Sequence, residues 1–264
     1  MRVVRPVLLG VFLCVSFTAL LPAQNVTTSS NQALTTLQAA LAALGGGSTV
    51  NDITLTGTAE HIAGSDAETG TAAYKALPSA NRLDIVFSGG TSSEIRSVGT
   101  RGPAGSWVGL DGVSHKMAFH NLVADVGWFP LFALENINSS TSSLLKYVGQ
   151  ETRNGESVIH LSASQQFQAS PGVDTALMQH LSEVDIYLDS KTLLPAAYVI
   201  NVHPDLNELV DIPMEIRYSD YQKIGGTQIP FHVQRFVNNT LTLDLQFQNA
   251  SLNAGLTTAQ INAQ

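Results

Sequence analysis

Histidines are the side chains of this sequence that come closest to a metal-binding pattern. The chain has seven of them. His115 and His120 are five residues apart, and His203 lies two residues before Asp205. A zinc site needs several ligands that converge on one point, and its usual signatures are HExxH or paired CxxC motifs. Because neither motif occurs, the sequence predicts no metal site, and we expect His115, beside a hairpin turn, to lie on a strand face.

The sequence also lacks the usual marks of nucleophilic catalysis. No serine is flanked as in GxSxG, and the single cysteine, Cys14, lies in the N-terminal apolar run. Asp185 and Asp189 are four residues apart on a predicted strand, so they share a face at a separation of about 13 Å. Glycosidase carboxylates lie roughly 5–10 Å apart, and this pair is therefore interpreted as solvated charge. No GxxxxGK[ST] or GxGxxG motif occurs, so no nucleotide or other cofactor is predicted.

The strongest candidate for a binding site is an apolar segment in the middle of the chain. Residues 122–134 read LVADVGWFPLFAL, and Pro130 prevents one uninterrupted regular helix through them. We interpret the segment as a short helix, beginning near His120, followed by an apolar loop. One hypothesis makes it a lid or wall over an apolar cavity, and the alternative makes it plain core. The predicted ligand-contacting side chains are Trp128, Phe129, Leu131 and Phe132.

The elements that would position this segment are mostly strands. In residues 183–247 apolar and polar side chains alternate, as in Val184, Ile186 and Leu188, and the period of two predicts strands with one buried face. Turn residues such as Gly225-Gly226 separate them, so the last third is predicted to be an antiparallel meander. Similar alternation upstream brings the predicted total to nine to eleven strands.

One strong helix and two weak ones are predicted beside the strands. Residues 32–44 carry a leucine stripe, can be capped by Ser30 or Asn31, and end at a glycine run. The second helix is the short one near His120, and the third is predicted over Asp174–Leu181, capped by Asp174. The pattern gives a mainly β, α+β fold in one domain, since no linker divides the chain.

The N-terminus predicts export. Two arginines precede an apolar run, and small residues follow, which is the layout of a secretory signal peptide at residues 1–23. An uncleaved anchor and a lipoprotein modified at Cys14 are the alternatives. We expect a polar tether at residues 24–31, a single domain at 32–252 and a tail at 253–264. Cleavage would leave 11 basic and 21 acidic residues, an acidity that argues against nucleic acid or anionic lipid as partner.

Two motifs in the last third resemble a known family. The segments DSKTLLP (189–195) and YSDYQKIGGTQIPF (218–231), after an N-terminal helix and in an exported chain, are similar to the periplasmic outer-membrane lipoprotein-carrier and lipoprotein-sorting superfamily. In that pattern an Asp precedes a Leu-Pro that opens a strand, and a later strand carries Asp-Tyr, Gly and Pro-aromatic. The matching residues are Asp189, Leu194, Pro195, Asp220, Tyr221, Gly226, Pro230 and Phe231.

The resemblance implies a strongly curved antiparallel sheet, a half-barrel closed on its open side by helices. It also implies binding of acyl chains or hydrophobic protein segments in the concave face. No position of this chain matches the basic residue with which the carriers are said to steady a lid. The motif residues are expected to be structural, because they are specific to the fold more than to an activity.

Three functions follow, in order of preference. The first is a non-enzymatic periplasmic or secreted carrier of a lipid, acyl chain or hydrophobic peptide, which predicts a large apolar cavity. The second is an envelope scaffold that binds a partner protein and has a filled core. The third is a hydrolase whose site is assembled from distant residues, which predicts a polar cleft with perturbed histidine or carboxylate groups. No membrane span is predicted after signal cleavage, and the oligomeric state is left open.

Overall fold

The computed structural model describes residues 29–45 and 47–262. It confirms the mainly antiparallel β fold with an N-terminal helix and a few short helices. The predicted signal peptide, Cys14 and most of the predicted tether lie outside the described residues. None of the described helices is long and apolar enough to cross a membrane.

The described residues form four α-helices, one 3-10 turn and thirteen strands. The helices are α1 (Asn31–Gly45), α2 (Pro130–Ser139), α3 (Thr175–Leu181) and α4 (Thr258–Asn262), and the 3-10 turn is Phe119–Leu122. The strands are β1 (Ile53–Ala63), β2 (Asp66–Leu77), β3 (Ala80–Phe87), β4 (Gly90–Gly99), β5 (Gly102–Val108), β6 (Ser114–Lys116), β7 (Ser143–Arg153), β8 (Glu156–Gln165), β9 (Val184–Asp189), β10 (Pro195–Val202), β11 (Ile212–Ile224), β12 (Thr227–Val237) and β13 (Thr240–Leu252).

All strands belong to one antiparallel sheet that is not closed into a barrel. Its order is β6-β5-β4-β3-β2-β1-β13-β12-β11-β10-β9-β8-β7. Every neighbouring pair is a hairpin except β8 with β9, which α3 connects, and β1 with β13. In the last pair Ile53 lies opposite Leu252, so the two ends of the chain meet in the middle of the sheet. This pairing joins the meander β1–β6 to the meander β7–β13.

The connection from β6 to β7 explains why the central segment is apolar. These two strands are the opposite edges of the sheet, so residues 117–142 must cross one whole face. They cross the concave face, defined here as the side that carries the core. All residues from Val126 to Leu134 are buried there. The segment packs with α1 and the inner sides of the strands in one hydrophobic cluster.

The local structure of this segment corrects one prediction. We expected a short helix followed by an apolar loop, but the order is a 3-10 turn, a loop and then α2. Pro130 begins α2 instead of ending a helix, because the first helical position needs no backbone N–H and suits the fixed φ of proline. The helix then continues to Ser139.

The predicted N-terminal helix is confirmed as α1. Ser30 caps it, since the Ser30 Oγ accepts a hydrogen bond from the Ala33 N–H at 3.1 Å. Leu37 and Leu44 are fully buried, and the helix packs against α2, β7 and β12. The leucine stripe therefore lies across the open side of the sheet.

Both ends of the described chain are held to the sheet. The Ser30 N–H donates to the Leu145 carbonyl at 3.0 Å, so the last part of the predicted tether is fixed on β7. At the other end, α4 forms inside the predicted tail, and Ile261 is fully buried against Ala80 and Ile95.

One strand, β2, is absent from the sequence predictions. Its core face presents Ala72, Tyr74 and Ala76, and alanine is a weak strand former whose small side chain gives little apolar alternation. Tertiary pairing with β1 and β3 on its two sides stabilises the strand despite that local signal.

Candidate functional site

The concave face changes character from one half of the sheet to the other. In β11 to β13 it presents apolar core residues such as Ile216, Val233 and Leu245. In β4 and β5 the same face carries Glu94 and Trp107, which lie opposite each other in the sheet register. The apolar and polar halves meet beneath the crossing segment, and a cavity lies at that boundary.

The cavity has a volume of about 360 Å³ and lies between α2 and the inner sides of both meanders. Its apolar lining includes Phe129 and Phe132 from the crossing segment, and Ala163 and Val184 from β8 and β9. Val98, which is 63% exposed, also lines it, so the cavity reaches the surface at β4. Sites for small molecules are usually about 300–1,000 Å³, and this cavity has room for one such molecule.

The structure separates the four predicted ligand-contacting side chains into two pairs. Phe129 and Phe132 line the cavity, and their rings pack edge to face at 5.0 Å. Trp128 and Leu131 are not among the lining residues and are buried in the core. The two pairs are separated at the junction of the loop with α2, where Phe129 and Phe132 face the cavity and Trp128 and Leu131 face the core.

Several polar side chains also line the cavity. Asn81 is one of them, and its side-chain oxygen is buried and accepts no hydrogen bond from any described residue. Tyr74 and Tyr198 line the same cavity. Burial, together with the charge of Asp125, raises the pKa of both tyrosines well above the ordinary value, so the hydroxyls stay protonated and can donate.

A charged group borders these polar side chains. Arg96 lines the cavity, forms an ion pair with Glu94 at 2.8 Å and donates from Nη1 to the Asn121 carbonyl at 2.8 Å. Burial would raise the pKa of Glu94, but the charges of Arg96 and Arg235 hold it below the ordinary value. The nearby Trp128 indole N–H also lowers the pKa of Glu94, although its geometry falls short of a hydrogen bond to any described group.

The 3-10 turn is fastened over this end of the cavity. The Asn121 side chain donates to the His203 carbonyl and accepts from the His203 N–H, both at 2.8 Å. His120 Nε2 lies 3.1 Å from the Pro204 carbonyl. The His203 side chain is fully buried, and its burial lowers the pKa despite the nearby Asp211 charge. The turn is thus attached to the β10–β11 loop through the backbone of His203 and Pro204.

The histidines do not assemble a metal centre in the described residues. His120 and His180 each pack edge to face against His203, at 5.8 and 6.1 Å. His115 stacks on Trp107 at 4.2 Å on the concave side of β6. These histidines pack against aromatic rings on strands, turns and helix ends.

The motif residues of the last third meet each other in the fold. Asp189 accepts hydrogen bonds from the N–H groups of Lys191 and Thr192, which form the turn before Pro195. Asp220 has φ of 52° in β11, where the register with β12 runs from Ser219 to Tyr221 without a shift. The hydroxyl of the next residue, Tyr221, donates to the Pro195 carbonyl at 2.8 Å.

The remaining motif residues shape the same region. Leu194 packs against the main core, Phe231 belongs to it, Gly226 has φ of 95° in the β11–β12 turn, and Pro230 lies opposite Tyr221. Both motifs thus build the turns and the strand pairing of one part of the sheet, and none of their residues lines the cavity.

A second polar cluster lies on the convex face, the side of the sheet opposite the cavity. The Ser219 Oγ is 3.0 Å from His232 Nδ1, and His232 Nε2 is 3.0 Å from both Asp244 oxygens. Gln234 also donates to Asp244, at 2.6 Å. A carboxylate at Nε2 favours the tautomer with hydrogen on Nε2, which leaves Nδ1 free to accept the serine proton. The three residues come from β11, β12 and β13, so only strand pairing brings them together.

No local sequence pattern identified the cavity's polar groups or this serine cluster. Asn81 and Arg96 are on different strands, and each reads locally as an ordinary strand residue. Their register partnership is the only feature that identifies them as neighbours. The apolar crossing segment was the one part of the cavity with a local signal.

Comparisons with known proteins address the fold. No protein-family model matches the chain, and no curated protein matches it. A DUF1329 family protein from Desulfovibrio piger is similar in structure, with a TM-score of 0.57 and 12% identity over 90% of this chain and 98% of the other. A domain titled as an outer membrane lipoprotein-sorting protein, from Vibrio parahaemolyticus, gives a TM-score of 0.55 and 12% identity, covering 88% and 96%.

A third similar structure names the superfamily. It is a LolA superfamily protein from Nitrosomonas europaea, with a TM-score of 0.51 and 11% identity over 84% of this chain and 93% of the other. These identities are low, so the likeness concerns the fold and does not transfer an activity. The resemblance predicted from the two motifs is confirmed at that level: this chain has the fold of LolA superfamily and outer membrane lipoprotein-sorting proteins.

Proposed function

We propose that this protein is an exported, non-enzymatic carrier that binds a lipid-like or hydrophobic peptide ligand on the concave side of its sheet. The observation that carries the proposal is the cavity of about 360 Å³ beneath α2, with Phe129 and Phe132 in its lining. Native interiors are close-packed, with few voids larger than a water molecule. A space of this size that reaches the surface therefore favours a ligand over a filled core.

The proposed cellular setting comes from the sequence and the fold. Residues 1–23 act as a cleaved signal peptide, and the mature protein works as one domain in the periplasm or outside the cell. The solved proteins of similar fold include one titled as lipoprotein-sorting, which supports an envelope role. A partner protein that supplies or receives the ligand belongs to this proposal.

Native mass spectrometry of the mature protein, purified from a periplasmic extract without detergent, tests the proposal. We expect an added mass that corresponds to one amphiphile per chain. Ala163 lines the cavity from β8, so Ala163→Phe should fill part of the space and reduce the bound fraction at least severalfold. Ala42→Phe, at an exposed position of α1, is the control and should retain the ligand.

The opposite result would favour the scaffold. A protein that carries no adduct, and whose mass is unchanged after incubation with lipids and apolar peptides, would not be a carrier of this kind. Thermal unfolding of both variants separates a filled cavity from a misfolded chain, because a folded Ala163→Phe protein retains a cooperative transition.

A hydrolase is the second candidate function, and the Ser219–His232–Asp244 cluster favours it. In that chemistry the Ser219 Oγ attacks an ester carbonyl as its proton passes to His232, and Asp244 stabilises the imidazolium. The C–O bond of the ester then breaks, the leaving alcohol takes the proton from His232, and water hydrolyses the acyl-serine to release the acid. The cluster is on the convex face, so it would act on a substrate other than the ligand of the cavity. The cavity is the more developed site, because it has walls that could hold a molecule, and we rank the carrier first.

A further inference from the structure

The polar side chains that line the cavity indicate which kind of ligand it fits. In native proteins about 90% or more of buried polar groups have a hydrogen-bond partner in protein or ordered water. Here the side-chain oxygen of Asn81 has none in the described residues, and Asn81 lines the cavity together with Tyr74 and Tyr198. These groups offer both hydrogen-bond donors and acceptors to whatever occupies the space.

Two of the polar side chains are close enough to bind one head group. Asn81 on β3 lies directly opposite Arg96 on β4, and opposed residues of antiparallel strands have Cβ atoms about 4.5–5.5 Å apart. Arg96 uses Nε for Glu94 and Nη1 for the Asn121 carbonyl. Its Nη2 takes part in neither of these bonds. A head group at this position could accept from Arg96 and donate to Asn81.

The charge at this end of the cavity selects against a charged head group. The positive charge of Arg96 is already paired with Glu94 at 2.8 Å. Asp125, whose Oδ1 accepts from the Gly127 N–H at 3.0 Å, adds a second carboxylate to the lining. Arg235 lies 3.9 Å from Glu94, so two cations and two carboxylates balance here. A ligand carboxylate would therefore meet no net positive charge and would lose its hydration, which is costly for an ion. An uncharged head that carries hydroxyl or amide donors and carbonyl acceptors meets no such penalty.

The rest of the lining suits a single hydrocarbon chain. Phe129, Phe132, Ile137 and Val184 surround the remaining space. The volume of about 360 Å³ is near the lower end of the range for small-molecule sites. A chain of this kind leaves its polar end beside Asn81 and Arg96.

We propose that the cavity selects a single-chain amphiphile with an uncharged hydroxyl- or amide-bearing head, such as a monoacylglycerol or an acyl amide, over the free fatty acid. The inference rests on the proposed carrier function and adds selectivity to the same site. Asn81, Arg96 and the two tyrosine hydroxyls bind the head, and the crossing segment covers the chain.

Calorimetric titration of the delipidated mature protein with three palmitoyl compounds at pH 7.5 tests this inference. The compounds are 1-monopalmitoylglycerol, palmitate and palmitoyl lysophosphatidylethanolamine, each below its aggregation concentration. We expect the monoacylglycerol to bind about tenfold more tightly than palmitate, as two net hydrogen bonds would give. Asn81→Leu removes the partner of the head and should weaken the monoacylglycerol about threefold to tenfold while leaving palmitate unchanged.

A matched control and the contrary outcomes make the result decisive. Gln248→Leu, at an exposed position of β13, should change neither affinity. Equal or tighter binding of palmitate, tightest binding of the zwitterionic lysolipid, or an Asn81→Leu protein with unchanged affinity would each overturn the head-group inference and leave the carrier function standing. Binding of none of the three, with no adduct in native mass spectra, would overturn the carrier function as well.

Discussion

Replacing Gly127 by alanine should destabilise the protein more than a glycine replacement of matched backbone geometry elsewhere. Gly127 has φ of 77°, in the left-handed region that side chains rarely adopt. A Cβ at this position would lie 2.6 Å from Cδ1 and 2.8 Å from Cγ of the Tyr198 ring. The glycine therefore lies against the face of the ring, where the crossing segment meets the cavity.

The expected cost has two parts. The left-handed backbone costs a residue other than glycine roughly 1–2 kcal/mol. Displacing a packed ring adds about 1–3 kcal/mol, so Gly127→Ala should cost about 2–5 kcal/mol in all. For a domain of this size, 1 kcal/mol lowers Tm by about 2–4 °C. Tyr218 restricts the relief of the clash, because its hydroxyl donates to the Gly127 carbonyl.

Comparison with Gly112→Ala isolates the part of the unfolding free energy that comes from the clash with Tyr198. Gly112 has φ of 74°, and a Cβ there would meet nothing within 4 Å, so this variant should show only the backbone cost. Urea unfolding followed by far-ultraviolet circular dichroism gives both free energies under identical conditions. If Gly127→Ala costs no more than Gly112→Ala, the packing of Gly127 on Tyr198 does not exist as described.

Two further predictions concern the convex face. Glu215, whose side chain is 6% exposed, pairs with Arg153 and Arg217 at 3.0 Å; burial opposes its ionisation, but hydrogen bonds from both arginines lower its pKa. The stability that ionised Glu215 contributes is thus present above the ordinary carboxyl pKa and is lost as pH falls through the lowered pKa. In urea unfolding, Glu215→Gln should lower the free energy of unfolding by about 1–3 kcal/mol at pH 7, and this difference should approach zero near pH 2–3. An equal difference at both pH values would contradict the pairing. The hydrolase alternative predicts that a fluorophosphonate labels Ser219. Ser219→Ala should abolish the labelling, and His232→Gln should reduce it at least tenfold. A wild-type protein that is not labelled would exclude this activity.

Period-two alternation made most of the strands predictable from the sequence. Val184, Ile186 and Leu188 point to one face whatever the partner strands are, because side-chain direction in a strand is a local property. The helix at Asn31–Gly45 was equally local, since a cap, a stripe and a glycine ending lie within one short stretch. β2 was missed because its core face carries small alanines beside Tyr74.

The tertiary structure decided everything that depends on which strands are neighbours. Ile53 in the first strand pairs with Leu252 in the last strand. The alternation of side chains within one strand cannot predict such a distant pairing. Once β6 and β7 become opposite edges, the segment between them has to cross the concave face. The aromatic side chains that the sequence identified are then divided between core and cavity by the turn at Pro130.

The sequence by itself thus determined the strands, the first helix and the presence of an apolar segment that had to be covered. The polar end of the cavity was decided only by strand register, which places Asn81 opposite Arg96, and by the loop that brings Asp125 beside them. The hydrophobicity and spacing of residues are local properties of the sequence. Its partners across a sheet depend on the free energy of the whole packed structure, and for this protein those partners define the site.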